Sequence, residues 1–234
     1  YNHELGKLVV YKNNGSVQHV FGGVVDRSVD EFSTTFNFAQ HNLLSDVAIG
    51  HNRYGTSGDV NKDSVLGAQP MMMEWEGRSL ALAFNGNIPQ FERAILKGTI
   101  PSEMPKLPNF DTNDLLQAII GAEGYVFEER LEHALHHVRK AFSINMLTGD
   151  GELFGLRSSS GTWPLWVGES SEKIVFASET RVDSSDEYEW SMVKAGELVK
   201  ATPSGVERTQ LFPPAERVMR CTLHDFYMAR QDSL

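Results

Sequence analysis

The sequence predicts an α+β layered domain in which two antiparallel sheets face each other with helices outside. Three observations predict it. Strand-length apolar segments come first, two or three helical patterns follow, and strands then return, mostly joined by hairpin-type turns. In Ser79 to Phe84 the large Leu80, Leu82 and Phe84 alternate with Ala81 and Ala83, which marks a strand covered on both faces with its small side pressed close to another layer. Phe127, Leu131, Ala134, Leu135 and Val138 fall on one helical face.

Taken in order, Lys7 to Tyr11 reads as a strand, Asn13-Asn14-Gly15 as a turn, and Val17 to Val20 as a returning strand. Asp30-Glu31 begins a helix reaching about Gln40. Val47 to Gly50 is a short apolar run expected to be a buried strand, and Asn52 to Gly58 must then be a loop. Met71 to Trp75 and Ser79 to Phe84 form a hairpin about Glu76-Gly77, and Asn85-Gly86-Asn87 breaks the second arm. Pro89 opens a helix through Leu96 that Gly98 ends. Residues 99–109 hold three prolines and make a loop, after which Asp111 to Asp114 caps a helix carrying Leu115, Leu116, Ile119 and Ile120. Later strands are expected around 142–147, 153–157, 165–167, 174–178 and 198–201, with Pro213-Pro214 marking a boundary near residue 212.

Composition narrows the function classes. The 234 residues carry a formal net charge of −10, and the 21 lysines and arginines are scattered, so counterion release cannot drive binding to nucleic acid. No apolar run approaches the ~20 residues that span a bilayer, and Tyr1-Asn2-His3-Glu4 does not read as a secretory signal. A cytoplasmic location is the expectation. A single cysteine, Cys221, excludes a disulfide framework and a four-thiolate iron–sulfur cluster within this segment. His133 and His137 stand four apart on a helix, but with His136 they lie opposite its apolar stripe, as a solvated face does. Met71-Met72-Met73 reads as core filling, and Asp183, Asp186 and Glu187 as a solvated loop.

Three short loops hold the candidate chemistry: His51 to Thr56, Phe84 to Asn87, and Phe110 to Asn113. Together they supply a guanidinium, a carboxylate, an amide side chain, a hydroxyl and a flexible N–H, a set suited to a small zwitterion. Arg53 can fork onto an α-carboxylate, and Asp111 can hold an α-ammonium. Asn85 Nδ2 and the Gly86 N–H can converge on a carbonyl oxygen as it gains charge, since a residue without Cβ admits close approach of ligand to backbone. Each piece also has a structural reading: Arg53 as a surface arginine, Asn85-Gly86 as a turn, Asp111 as a helix N-cap.

The combination is more specific than its parts. Ile49 to Gly58 resembles the Ile-Gly-His-x-Arg-Tyr-x-Thr-x-Gly segment of class II (N-terminal-nucleophile) glutamine amidotransferases, and Ala68-Gln69-Pro70 follows at the family's distance. Leu82 to Asn87 resembles Leu-Ala-His-Asn-Gly-Asn, and Asp111 to Leu116 resembles Asp-Ser/Thr-Glu-x-Leu-Leu. Within that superfamily, Leu156 to Leu165, Phe176 to Thr180, Ala195 to Glu197 and above all Cys221 to Ser233 resemble amidophosphoribosyltransferases.

The resemblance implies a four-layer αββα sandwich. It implies a mature N-terminal cysteine that attacks the glutamine side-chain amide, with its own α-amine taking the proton. Ammonia then passes to a second, phosphoribosyltransferase domain. By position, Arg53 and Asp111 would hold the glutamine backbone groups, Tyr54 and Thr56 would line the site, and Asn85 and Gly86 would stabilise the tetrahedral intermediate.

Residues 1–212 are then expected to form the glutaminase domain, N-terminally incomplete, and 213–234 a connector toward the phosphoribosyltransferase domain. The expected partners are glutamine and that domain in cis, with a homo-oligomer compatible. No cofactor is expected in this segment, and magnesium only with the second domain. Tyr1 aligns tens of residues into the family pattern, so the Cys-Gly-Ile start has no counterpart here. Cys221 matches the connector and cannot replace it. Phe84 for His, Asn113 for Glu, Ser158 to Ser160 for Asp-Pro-x and Trp163 for Arg depart from the family. They motivate an alternative reading, a non-catalytic amidotransferase fold kept for ligand sensing or assembly. Another class II glutamine amidotransferase is a further alternative.

Overall fold

The structure, a computed structural model, describes residues 1–13, 15, 20, 45–52, 65–180 and 188–218. Its centre is a six-stranded, wholly antiparallel sheet. Six of the nine strands among the described residues belong to this sheet: β1 (Met71–Trp75), β2 (Arg78–Gly86), β3 (Phe142–Thr148), β4 (Leu153–Arg157), β8 (Glu197–Thr202) and β9 (Gly205–Gln210), in spatial order β1-β2-β3-β4-β8-β9. The other three, β5 (Trp166–Glu169), β6 (Ile174–Ala177) and β7 (Glu189–Met192), form a second sheet in the order β6-β5-β7.

The β1–β2 hairpin turns at Glu76 and Gly77, with φ of 49° and 75°. Positive φ at both central residues suits the twist of a two-residue hairpin, and Gly77 adopts it without a Cβ penalty. In β2 the predicted alternation holds. Leu80, Leu82 and Phe84 join the core beneath the helices, Ala81 packs with Leu8 and Leu147 on the opposite face, and Ala83 is buried too. The same parity runs through β3 and β4, where Ile144, Met146, Phe154 and Leu156 face the helices. The second sheet packs on the small-residue side through Leu165, Val167, Val193 and Val199, with Phe176 against them. A Cβ on Gly155 would stand 2.6 Å from the Phe176 ring, so glycine there sets how close the two sheets come.

Among the described residues three α-helices cover the other face: α1 (Gln90–Thr99), α2 (Asp111–Gly121) and α3 (Phe127–Leu135). Residues 112–120 of α2 are all buried, because the sheet, α1, α3 and the proline-rich loop 101–109 enclose it. Burial on all sides forces its polar residues to find partners. Asn113 Nδ2 donates to the Pro108 carbonyl at 2.8 Å and Gln117 Nε2 to that of Pro105 at 2.9 Å, so α2 ties down the loop before it. Truncating any of the fully buried Leu115, Leu116 or Ile119 is worth about 2–5 kcal/mol.

Helices, large sheet and small sheet thus make three successive layers among the described residues. The helix expected at 30–40 and all but the first residue of the loop expected at 52–58 lie outside them, as do residues 17–19 of the expected strand Val17 to Val20 and the acidic cluster 183–187. Several local expectations change. Lys7 to Tyr11 is not a strand: only Lys7 bridges, to Asn2, while Leu8 inserts its side chain against Ala81 and Leu147. Val47 to Gly50 is not a buried strand either; it is an irregular segment whose Val47 and Ile49 rest on that same small cluster. β2 runs on through Asn85 and Gly86, paired to Ser143 and Phe142, so these residues extend the strand they were expected to break. Gly98 lies inside α1, one residue before its end. β7 and β9 were not expected, because both are short, largely polar and half or fully exposed.

Candidate active site

Two of the three predicted loops meet at the end of β2. The Ile88 N–H donates to Asp111 Oδ2 at 3.1 Å, while Asp111 Oδ1 accepts from the Thr112 N–H at 2.9 Å. Asp111 is the first residue of α2 rather than its N-cap, which is Phe110. Its carboxylate therefore sits at the positive end of the helix and is clipped to the chain just beyond Asn85 and Gly86. Among the described residues no cation pairs with it. Arg53, Tyr54 and Thr56 lie outside the described residues.

Strand geometry aims the Asn85-Gly86 pair. By alternation Asn85 shares its face with Ala81 and Ala83, toward the second sheet. Gly86 pairs with Phe142, whose own N–H and C=O turn the other way: Phe142 N donates to Ser158 Oγ at 3.1 Å and its carbonyl accepts from Ser158 N at 3.0 Å. In an antiparallel ladder that directs the Gly86 N–H away from β3, to the edge along which β1 runs. A Cβ at Gly86 would stand 2.8 Å from Phe84 Cζ, 2.9 Å from Phe142 Cβ and 3.0 Å from the Ala141 oxygen. Glycine is thus required by packing on the protein side, a reason beyond the expected close approach of a ligand.

The neighbouring corner is pinned by Arg157. Its Nε donates to the Trp163 carbonyl at 2.8 Å, Nη1 to that of Val193 at 2.9 Å, and Nη2 to that of Gly161. Burial pushes this guanidinium below its usual pKa. Two of the noted departures fall on this corner. Position 163 contributes a main-chain carbonyl, which any residue supplies, and Ser158 offers the Phe142 N–H a hydroxyl oxygen where the family has a carboxylate. Between the sheets lies a cavity of about 170 Å³ lined by Ile49, Gly50, Asn145, Leu153, Ile174 and Phe176, and Asn145 Oδ1 is buried without a hydrogen-bond partner among the described residues.

The remaining candidates resolve simply. His133, His136 and His137 are exposed, and the described residues contain no cluster of metal-ligating side chains. Met71 and Met73 are buried in the core, whereas Met72 faces outward. No helix among the described residues is long and apolar enough to cross a membrane. A residue that the sequence offered only as part of a motif, Gln69, proves to touch the site's strand: its side chain bonds both main-chain groups of Phe84. Extending the hairpin register two residues past its last pair would have pointed to it.

A family model described as a glutamine amidotransferase domain matches residues 51–182, more than half of the chain. The chain belongs to this family. Amidophosphoribosyltransferases resemble the amidotransferase chain along most of its length. That of Mycobacterium tuberculosis is 31% identical over 235 residues, covering 97% of this chain and 41% of the relative. That of Synechococcus elongatus is 28% identical over 200 residues, covering 82% and 39%. The chain therefore spans about two fifths of the length of these curated relatives. Among solved structures, a glutamine phosphoribosylpyrophosphate amidotransferase from B. subtilis complexed with ADP and GMP superimposes with a TM-score of 0.65 at 22% identity, covering 79% of this chain and 39% of that one. A second, described as the allosteric regulatory enzyme of purine biosynthesis, gives 0.63 at 21% identity, covering 73% and 37%. At such identities the likeness establishes the fold, the α+β sandwich of the N-terminal-nucleophile hydrolase type.

Proposed function

We propose that this chain is the glutaminase domain of an amidophosphoribosyltransferase-like protein, releasing ammonia from L-glutamine for transfer to phosphoribosyl pyrophosphate, the first step of de novo purine synthesis. The observation that carries the reading is the Ile88–Asp111 hydrogen bond, which sets a carboxylate with no cationic partner among the described residues beside Asn85 and Gly86. Those groups fit the two ends of one amino acid. Asp111 holds the α-ammonium and Arg53 the α-carboxylate, with Tyr54 and Thr56 lining the site. The side-chain amide then extends toward Asn85 Nδ2 and the Gly86 N–H.

A cysteine thiol supplied from outside this chain adds to that amide carbon. The oxygen gains charge and is met by the two N–H donors, placed where the charge develops rather than on the ground-state carbonyl. Collapse of the adduct breaks the C–N bond and releases ammonia as its nitrogen takes a proton, leaving a thioester. Water adds to the thioester, which gives glutamate and restores the thiol. Residues 1–212 serve as this domain and 213–234 as the connector to a phosphoribosyltransferase domain in cis, in a cytoplasmic protein.

Glutamine hydrolysis by the protein from the complete reading frame is the test. Ammonia release that disappears when that protein's N-terminal cysteine is replaced by alanine supports the reading. Saturable glutamine binding by the chain without any turnover in the complete protein moves the assignment to the ligand-sensing alternative.

A further inference from the structure

The two arms of the first hairpin are unequal. β1 pairs with β2 from Trp75↔Arg78 to Met71↔Leu82, and β2 then continues for four residues, to Gly86. Continuing the register by two residues sets position 69 opposite Phe84. The main chain makes no rung there. The side chain of Gln69 makes it instead: Oε1 accepts from the Phe84 N–H at 2.7 Å, and Nε2 donates to the Phe84 carbonyl at 3.1 Å. A carboxamide carries the same donor and acceptor as a peptide unit, so it closes the ladder as a backbone would. The segment bearing Gln69 is itself held, because Lys12 Nζ donates to the Ala68 carbonyl at 3.0 Å.

The rung that Gln69 occupies is the last before the candidate oxyanion donors. The Gly86 N–H projects from the same strand edge as the Phe84 N–H, one rung further on. Asn85 lies between them, and the Phe84 ring is the nearest atom group to the space a Cβ on Gly86 would need. Fixing both main-chain groups of Phe84 therefore fixes the plane and twist of the strand from which both donors project.

We infer that Gln69 is a positioning residue for the Asn85–Gly86 donor pair, acting through Phe84 and touching no substrate. This inference rests on the glutaminase reading above. A donor pair that is misaimed binds ground-state glutamine as before but meets the developing oxyanion poorly, so the deficit belongs in kcat and not in KM.

Two measurements on the complete protein test it. Amide hydrogen exchange in Gln69→Ala should rise about tenfold or more at Phe84 while staying unchanged at Leu80 and Leu82, which keep their backbone partners in β1. An equal rise at all three, or none at Phe84, overturns the clamp. In steady-state glutamine hydrolysis, Gln69→Ala should lose about tenfold to a hundredfold in kcat with KM within about twofold. Gln69→Glu keeps an acceptor for the Phe84 N–H and should recover part of that loss. A parent protein that hydrolyses no glutamine overturns the reading beneath and the inference with it. An active parent whose Gln69→Ala variant keeps its kcat, or changes only in KM, overturns the inference alone.

Discussion

Two carboxylates stand one turn apart on α2, and their surroundings divide their roles. Asp114 is almost wholly buried, its side chain 7% exposed, and it is neutralised: Arg93 donates to Oδ2 at 2.7 Å and Lys97 Nζ stands 3.7 Å away. Arg93 and Lys97 belong to α1 and also reach Asn109, so this cluster docks α1 on α2. Asp111 is half-buried and, among the described residues, receives neutral donors alone: the backbone N–H groups of Thr112 and Ile88 and the Thr112 hydroxyl at 3.5 Å. Both carboxylates benefit from the helix N-terminus. Only Asp114 has its charge matched from within the described residues. A carboxylate held in place by neutral donors retains its attraction for a cation that arrives later, as the ammonium of an amino acid would.

Replacing each carboxylate separately tests that division. Asp111→Asn should weaken L-glutamine binding about a hundredfold, roughly 3 kcal/mol for losing a charge-assisted contact, and leave thermal stability within about 1 kcal/mol. Calorimetry and a thermal melt on the same variant check both halves, and unchanged glutamine affinity would abolish the contrast. Asp114→Ala should do the reverse. Removing one partner of a buried pair should cost about 2 kcal/mol, a fall in Tm of about 4–8 °C for a domain of this size, with glutamine affinity preserved. If Asp114→Ala cuts affinity as deeply as Asp111→Asn, the two residues act as one unit.

The smallest effect is expected at a surface pair that serves as a control. The hydrogen bond from Lys200 to Glu152 raises the lysine pKa above its ordinary value of 10.5. Its contribution is therefore fully present below about pH 10.5 and is lost as pH rises through the higher folded value. Both side chains are substantially exposed, so Glu152→Gln should cost under about 1 kcal/mol at neutral pH. Melts of the two proteins should converge at strongly alkaline pH.

What the sequence revealed of this arrangement depended on the range of the interaction. The Leu80–Phe84 alternation, the Glu76-Gly77 turn and the apolar face of α3 are local patterns, and each appears in the structure close to its predicted limits. Lys7 to Tyr11 and Val47 to Gly50 carry the same apolar signal. Pairing needs a neighbour at hydrogen-bonding distance, however, which no run of residues encodes, and these segments contribute side chains to a cluster without joining a ladder. β9 escaped notice because an exposed edge strand needs few apolar residues. At the site, the residue types of Asn85, Gly86 and Asp111 were legible, and so was the motif containing Gln69. Neither the Asp111–Ile88 bond nor the Gln69 rung was, since each depends on how two distant stretches lie side by side.

The contact between Gly155 and Phe176 reaches beyond its own residues. Gly155 pairs with Asn145 across the ladder, so neighbouring positions meet the second sheet in opposite ways. At one a ring presses on bare backbone; at the other an amide lines a hollow. A single hydrogen atom in place of a methyl group thus acts as the spacer that sets the depth of that hollow. Lengthening the spacer, even to alanine, would push on the Phe176 ring, prise the layers apart and alter the room that this ring helps to line.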